Sequence, residues 1–258
     1  MGGVKRRLFL GSALAGTLPA YAVAASPPGG LSAVEPHSAF DERAFEAAVA
    51  HPARIRQMWE NVALKPAVLS NIKNSLNGLQ FGYAYAPHDI ATAVVNHGPS
   101  AAYTYGDLIW AKYRIADYVG YSKPVASSTP LELAANGVER FLGRDVAQTA
   151  MTLKNPFFAR KNKPRQNDPP DDEDSVYQDT SIEALQSRGV VFMCCHTAVM
   201  EQSKSLVKGG YAPSGMSAKD VAAEILTHLV PGTIVVPSGV ATVAVLQQQY
   251  HYTYITIQ

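Results

Sequence analysis

The chain has 258 residues, 47% of them apolar, enough for one or two domains with a sizeable core. A formal charge of +1 gives no electrostatic case for nucleic acid as a partner. Beyond the N-terminus no stretch is apolar over the length that a membrane span needs.

The N-terminus runs Lys5-Arg6-Arg7, then Leu8-Phe9-Leu10, a weakly apolar middle, and a small-residue exit at Ala22-Val23-Ala24. This is the anatomy of an export signal, and the paired arginines resemble the twin-arginine class, which carries folded proteins. The alternatives are an ordinary secretory signal and an uncleaved anchor. The segment holds three positive charges and no negative one, so its removal takes the net charge from +1 to −2. The sequence thus predicts a signal over 1–24, a linker rich in proline, glycine, serine and alanine over 25–40, and one α/β domain over 41–258. The expected location is the periplasm, with no integral span after cleavage.

Residues 41–61 read as a helix: Asp41 is its N-cap, and Phe45, Val49, Ile55, Met58 and Val62 approximate one stripe, interrupted by Pro52. Val68, Leu69, Ile72, Leu76 and Leu79 predict a second helix after Pro66, so 41–80 reads as a helical extension. Residues 81–85 are aromatic and suit an edge strand or a turn. Residues 90–96 form an apolar, β-branched run expected as a buried strand, ending in Asn96-His97-Gly98-Pro99. Helices are expected over 104–119 and 130–141. Residues 154–175 set a basic run against an acidic, proline-rich one and read as a mobile charged insertion.

Ser181 opens a short helix, after which Gly189-Val190-Val191-Phe192-Met193-Cys194-Cys195-His196 forms an unbroken apolar run ending in both cysteines of the chain. Such a run predicts a central strand covered on both faces. Helices are expected over 198–207 and 218–229, the second capped by Ser217. A strand over 233–236 ends at Pro237-Ser238-Gly239, a helix covers 240–249, and a last strand covers 252–257. Alternating strands and helices predict a mostly parallel sheet with helices on both faces.

In such a sheet the carboxyl ends share one rim, where ligands gather. That rim would carry Asn96, His97, Gly98, Cys195, His196, Ser238 and Gly239. Helix N-termini pointing at it favour a thiolate on Cys195, with His97 or His196 as imidazolium or proton shuttle. The favoured chemistry is nucleophilic attack by sulfur from an exposed Cys195, with Cys194 as the fallback thiol. Alternation along an extended strand sends the two thiols to opposite faces. A vicinal disulfide and two packed core thiols are the alternatives. Ser238 reads as a helix cap, not a nucleophile. Cys-Cys-His has no second ligand cluster, so no structural metal is expected, and no Gly-rich phosphate loop or Gly-x-Ser-x-Gly elbow is present. No cofactor is called for.

Three stretches carry a resemblance: 189–198, Leu229-Val230-Pro231-Gly232 through Ser238-Gly239-Val240 with the closing residues 246–255, and Val94-Val95-Asn96-His97-Gly98. They are similar in order and spacing to the DsrE/DsrF-like family of small sulfur-relay proteins, over about residues 65–120 and 176–258. The resemblance implies a flavodoxin-like three-layer sandwich, assembly into homo-oligomers, and a strand-end cysteine that carries persulfide sulfur. Cys195 matches that cysteine best. The expected function is binding or relay of sulfane sulfur, with a sulfur donor or acceptor protein as partner. The alternatives are a non-catalytic oligomeric accessory protein and a soft-metal binder through Cys194, Cys195 and His196.

Overall fold

The computed structural model describes residues 40–120, 154–165 and 167–256. The expected export signal, the linker up to residue 39 and the helix over 130–141 lie outside these residues. The first element, α1 (Glu42–Val49), starts where Asp41 accepts the Ala44 amide at 3.0 Å. It buries Phe45 and Val49, one turn apart. It ends at Ala50, just before His51-Pro52, because the residue preceding a proline is pushed out of the helical region.

The next element is a strand, β1 (Ile55–Asn61), where the sequence stripe suggested a continuing helix. Ile55, Met58 and Val62 continue the stripe of Phe45 and Val49, and the polar residues 57, 60 and 61 fit a solvated helix face as well as a strand with buried polar partners. Gln57 is buried: it donates to Thr92 Oγ1 at 2.9 Å and accepts from Ser75 Oγ at 2.6 Å. The residues expected as a helical extension therefore contain a sheet strand between α1 and α2 (Ala67–Asn77). The aromatic stretch 81–85 is not an edge strand: Phe81 and Gly82 finish a π-helical turn, Gly78–Gly82, and a bend follows at Tyr83.

The sheet has five strands, all parallel, in the order β4-β3-β2-β1-β5. The others are β2 (Ile90–Asn96), β3 (Val190–Cys195), β4 (Ile234–Val236) and β5 (Thr253–Thr256). The register sets Asn61 beside Asn96, Asn96 beside Cys194, and Cys195 beside Val236, so these ends form one level rim. One face (Trp59, Val94, Phe192, Cys194) packs against α2 and residues 101–116, and against α5 (Ile182–Ser187), α6 (His196–Lys208) and α7 (Ala218–Thr227). The other face (Met58, Ala93, Val95, Met193, Val236) packs against α1 and α8 (Gly239–Gln248). This is the expected three-layer, flavodoxin-like α/β sandwich.

The chain steps across the sheet from β1 to β4 and then returns to place β5 beside β1. Crossovers of one hand require the return helix, α8, to lie on the face opposite α6. The helices after β3 and β4 therefore leave on opposite faces of the sheet.

Residues 98–118 are a 3-10 segment (Gly98–Thr104) and two short helices, α3 (Asp107–Lys112) and α4 (Ile115–Tyr118), in place of the single helix expected over 104–119. Arg114 between α3 and α4 has φ +47°, which breaks continuity. Before α3 the Gly106 amide donates to the His228 carbonyl at 2.8 Å, and a Cβ at residue 106 would lie 2.7 Å from that oxygen. Trp110, Tyr103 and Tyr105 fill the layer beneath. Each such burial contributes about 1.5–3 kcal/mol.

The charged insertion is zipped to itself and to the body in its described residues. Arg165 bridges Asp168 and Asp172 at 2.9 and 2.8 Å. Asp179 accepts the amides of Lys161, Asn162 and Ser181. Asn155 donates to the Tyr103 and Tyr105 carbonyls at 2.8 and 2.7 Å.

Candidate functional site

Cys195 is both the last residue of β3 and the N-cap of α6. Its Sγ accepts the Ala198 amide at 3.3 Å, in the position a serine oxygen takes in an ordinary cap. It also accepts the Gly239 amide at 3.1 Å. Gly239 opens α8, so one sulfur atom terminates the free N–H groups of two helices that leave on opposite faces of the sheet. Both N–H dipoles therefore point at that sulfur.

The sulfur is not open on the lip as the sequence led one to expect: Cys195 is 4% exposed. The folding of α8 across the end of β3 covers it. Cys194 is fully buried in the layer of α6 and Tyr105. Desolvation pushes its thiol up to about 12; a hydrogen bond with Thr104 works against this and the neighbouring Cys195 adds to it. Cys194 is a protonated packing group at neutral pH. The two thiols are free, so the vicinal disulfide is not formed.

His97 follows β2 and caps the 3-10 segment. Its amide donates to the Asn61 carbonyl at 3.1 Å, and its Nε2 lies 2.9 Å from Glu60 Oε1. The other oxygen of Glu60 accepts the hydroxyl of Tyr254, on β5. Desolvation acts to raise the Glu60 carboxyl, but the hydrogen bonds from Tyr254 and His97, and the charge on His97, bring it below its ordinary value. An ionised Glu60 accepting from Nε2 assigns the ring proton to that nitrogen and leaves the Nδ1 lone pair available in the neutral imidazole.

Gly239 joins the two groups. A Cβ built on it would lie 2.7 Å from His97 Cβ and 2.9 Å from Cγ. The imidazole therefore packs directly on the backbone whose N–H points at Cys195. Only glycine admits this approach.

The remaining rim residues have structural duties. Asn96 is fully buried, accepts from Asn61 Nδ2 at 3.1 Å and donates to the Met193 carbonyl at 3.2 Å. Gly98 has φ +57°, and its carbonyl accepts from Gln202. Ser238 occupies the N-cap position of α8, but its side chain makes no capping bond; the sulfur of Cys195 does that work instead. His196 is the first residue of α6 and half-buried.

Glu60 and Tyr254 were missed by sequence reasoning. Glu60 fell in the stretch read as helix; a strand reading of 55–61 would have set it at the rim. Beside the site a cleft of about 510 Å³ is lined by Gly98, Pro99, Ala198, Glu201 and Gln202 among others, so the amide donor Ala198 belongs to both. Among the described residues, no three His, Cys, Asp or Glu side chains gather as metal ligands, which leaves the Cys194-Cys195-His196 metal reading without geometric support. Among the described residues, no helix is long and apolar enough to cross a membrane. No family model, curated protein or solved structure matches this chain.

Proposed function

We propose that this is an exported, DsrE-like sulfur-handling protein that binds or relays sulfane sulfur on Cys195. The observation that carries the reading is the pair of amides, Ala198 and Gly239, donating to Cys195 Sγ where the ends of β3 and β4 adjoin. A thiolate held there attacks the sulfane sulfur of a polysulfide or thiosulfate. A new S–S bond forms at Cys195, the donor's S–S bond breaks, and the leaving thiolate or sulfite takes the electron pair. His97, oriented by Glu60, packs on Gly239, whose amide donates to this sulfur. The order of rim motifs in the sequence supports the same family, and the Lys5-Arg6-Arg7 start supports export by the twin-arginine route to the periplasm.

The test is intact-protein and peptide mass spectrometry after incubation with polysulfide or thiosulfate. One added sulfur on the peptide with Cys194 and Cys195, lost in Cys195→Ala and kept in Cys194→Ala, is expected. An unmodified peptide sinks the proposal. Cell fractionation of an Arg6→Lys/Arg7→Lys variant tests the export route, which predicts retention in the cytoplasm.

The 4% exposure of Cys195 favours a second reading, in which the sulfur is a helix cap inside a non-catalytic, oligomeric accessory protein. Thiol reagents separate the two. Sulfur handling requires that Cys195 react in the folded protein, whereas a cap reacts only on unfolding.

A further inference from the structure

The amino edge of the sheet, at the far end of β3 from Cys195, holds a cation with no anion beside it among the described residues. Arg188 ends α5, two residues before β3. Its Nη1 and Nη2 are buried and have no hydrogen-bond partner there. The neighbour of the guanidinium is the ring of Tyr177, whose centroid lies 5.2 Å from Cζ. Desolvation draws its pKa down to about 10, with Tyr177 acting the other way. Burying an unpaired guanidinium is costly, and its fork of donors matches a carboxylate in two parallel hydrogen bonds.

Arg188 is part of the wall of a cavity of about 170 Å³. Leu76, Pro87 and Ile90 form an apolar side, and Gln80 and Tyr177 form a polar one. The wall is set before any ligand arrives. Asn77 donates to the Tyr177 carbonyl at 2.9 Å, and the Phe81 ring meets the Tyr177 ring edge-on at 4.9 Å. Gln80 sits in the π-helical turn Gly78–Gly82, closed by the Tyr83 amide on the Gly78 carbonyl at 2.9 Å. Single π turns inside helical segments occur frequently at functional sites.

We propose that this cavity binds a short-chain aliphatic carboxylate, its two oxygens on the Arg188 guanidinium and its chain against Leu76, Pro87 and Ile90. At about 30 Å³ for each water-sized group, the space holds roughly six non-hydrogen atoms, the size of butyrate. The site is independent of the sulfur chemistry at the opposite edge.

The test is thermal unfolding of the full chain titrated with butyrate, sulfate or phosphate, against chloride at matched ionic strength. Butyrate is expected to raise Tm saturably in the wild type. Arg188→Met should lose that rise while its ligand-free Tm stays at or above the wild-type value, because the unpaired charge is gone. Arg188→Lys, which keeps the charge without the fork, should weaken binding about tenfold. No rise beyond chloride in the wild type, or an equal rise in either variant, overturns the proposal. A rise with sulfate or phosphate but not butyrate overturns the carboxylate assignment.

Discussion

The amide of Gly239 donates to Cys195 Sγ over 3.1 Å, and the two residues stand 44 positions apart in the chain. The contact ties the start of α8 to the end of β3 and gives the sulfur its second N–H donor. It also sets the imidazole of His97 against the glycine backbone.

Gly239→Ala tests that contact directly. The added methyl would lie 2.7 Å from His97 Cβ, so either the histidine or the helix start must shift. Overpacking of this kind costs about 1–3 kcal/mol. The unfolding free energy from urea titration should fall by that amount, and the alkylation rate of Cys195 should change with it. A variant with wild-type stability and unchanged His97 chemical shifts would contradict the geometry.

The two thiols should separate in alkaline solution. The folded Cys194 thiol is raised to about 12 from an ordinary 9.0, so the folded state holds a proton that the unfolded state has released. Its contribution to stability is present below pH 9.0 and is lost as pH rises toward 12. Cys194→Ala should flatten that alkaline decline, read as urea midpoints across the range, while costing about 1–2 kcal/mol at neutral pH for the cavity. An identical decline in the variant argues against a protonated buried thiol.

Glu60 carries the opposite sign. Its folded carboxyl lies below the ordinary value of 4.5, so its contribution is present above pH 4.5 and is lost as pH falls through the folded value. Glu60→Gln should be less sensitive to acid than the wild type and should release His97 from its single tautomer, visible in nitrogen NMR. Tyr254→Phe removes one hydrogen bond to the same carboxylate and should cost about 1 kcal/mol. Acid unfolding with the same midpoint shift in Glu60→Gln and wild type would refute the linkage.

Asn155 holds the start of the charged insertion to the core. Its side chain donates to two carbonyls and accepts the Phe157 amide at 2.9 Å, all in a buried setting. Asn155→Ala leaves those groups unpaired and should cost about 2–4 kcal/mol. Proteolysis near residues 154–165 should quicken in the variant. A cost below about 1 kcal/mol would mean water replaces the amide without loss.

The runs 90–96 and 189–195 are apolar on both faces, so their strand character and central place were readable as local properties. The caps at Asp41, Ser181 and Ser217 were readable too, because a cap needs only a side chain three residues from its amide. Strand β1 was hidden. Gln57, Glu60 and Asn61 resemble a solvated helix face until Thr92, Ser75, His97, Tyr254 and Asn96 supply their partners, and those partners come from other strands and helices.

That a thiol stands at the carboxyl end of a central strand, just before a helix, depends on neighbouring residues and could be read without coordinates. The three-dimensional arrangement was needed for the rest: α8 returns over the opposite face, lays the Gly239 amide on that thiol and closes it to 4% exposure, while Glu60 and Tyr254 are drawn to His97. Which strand ends become neighbours follows from the order and hand of the crossovers, a property of the whole sheet that no single segment encodes.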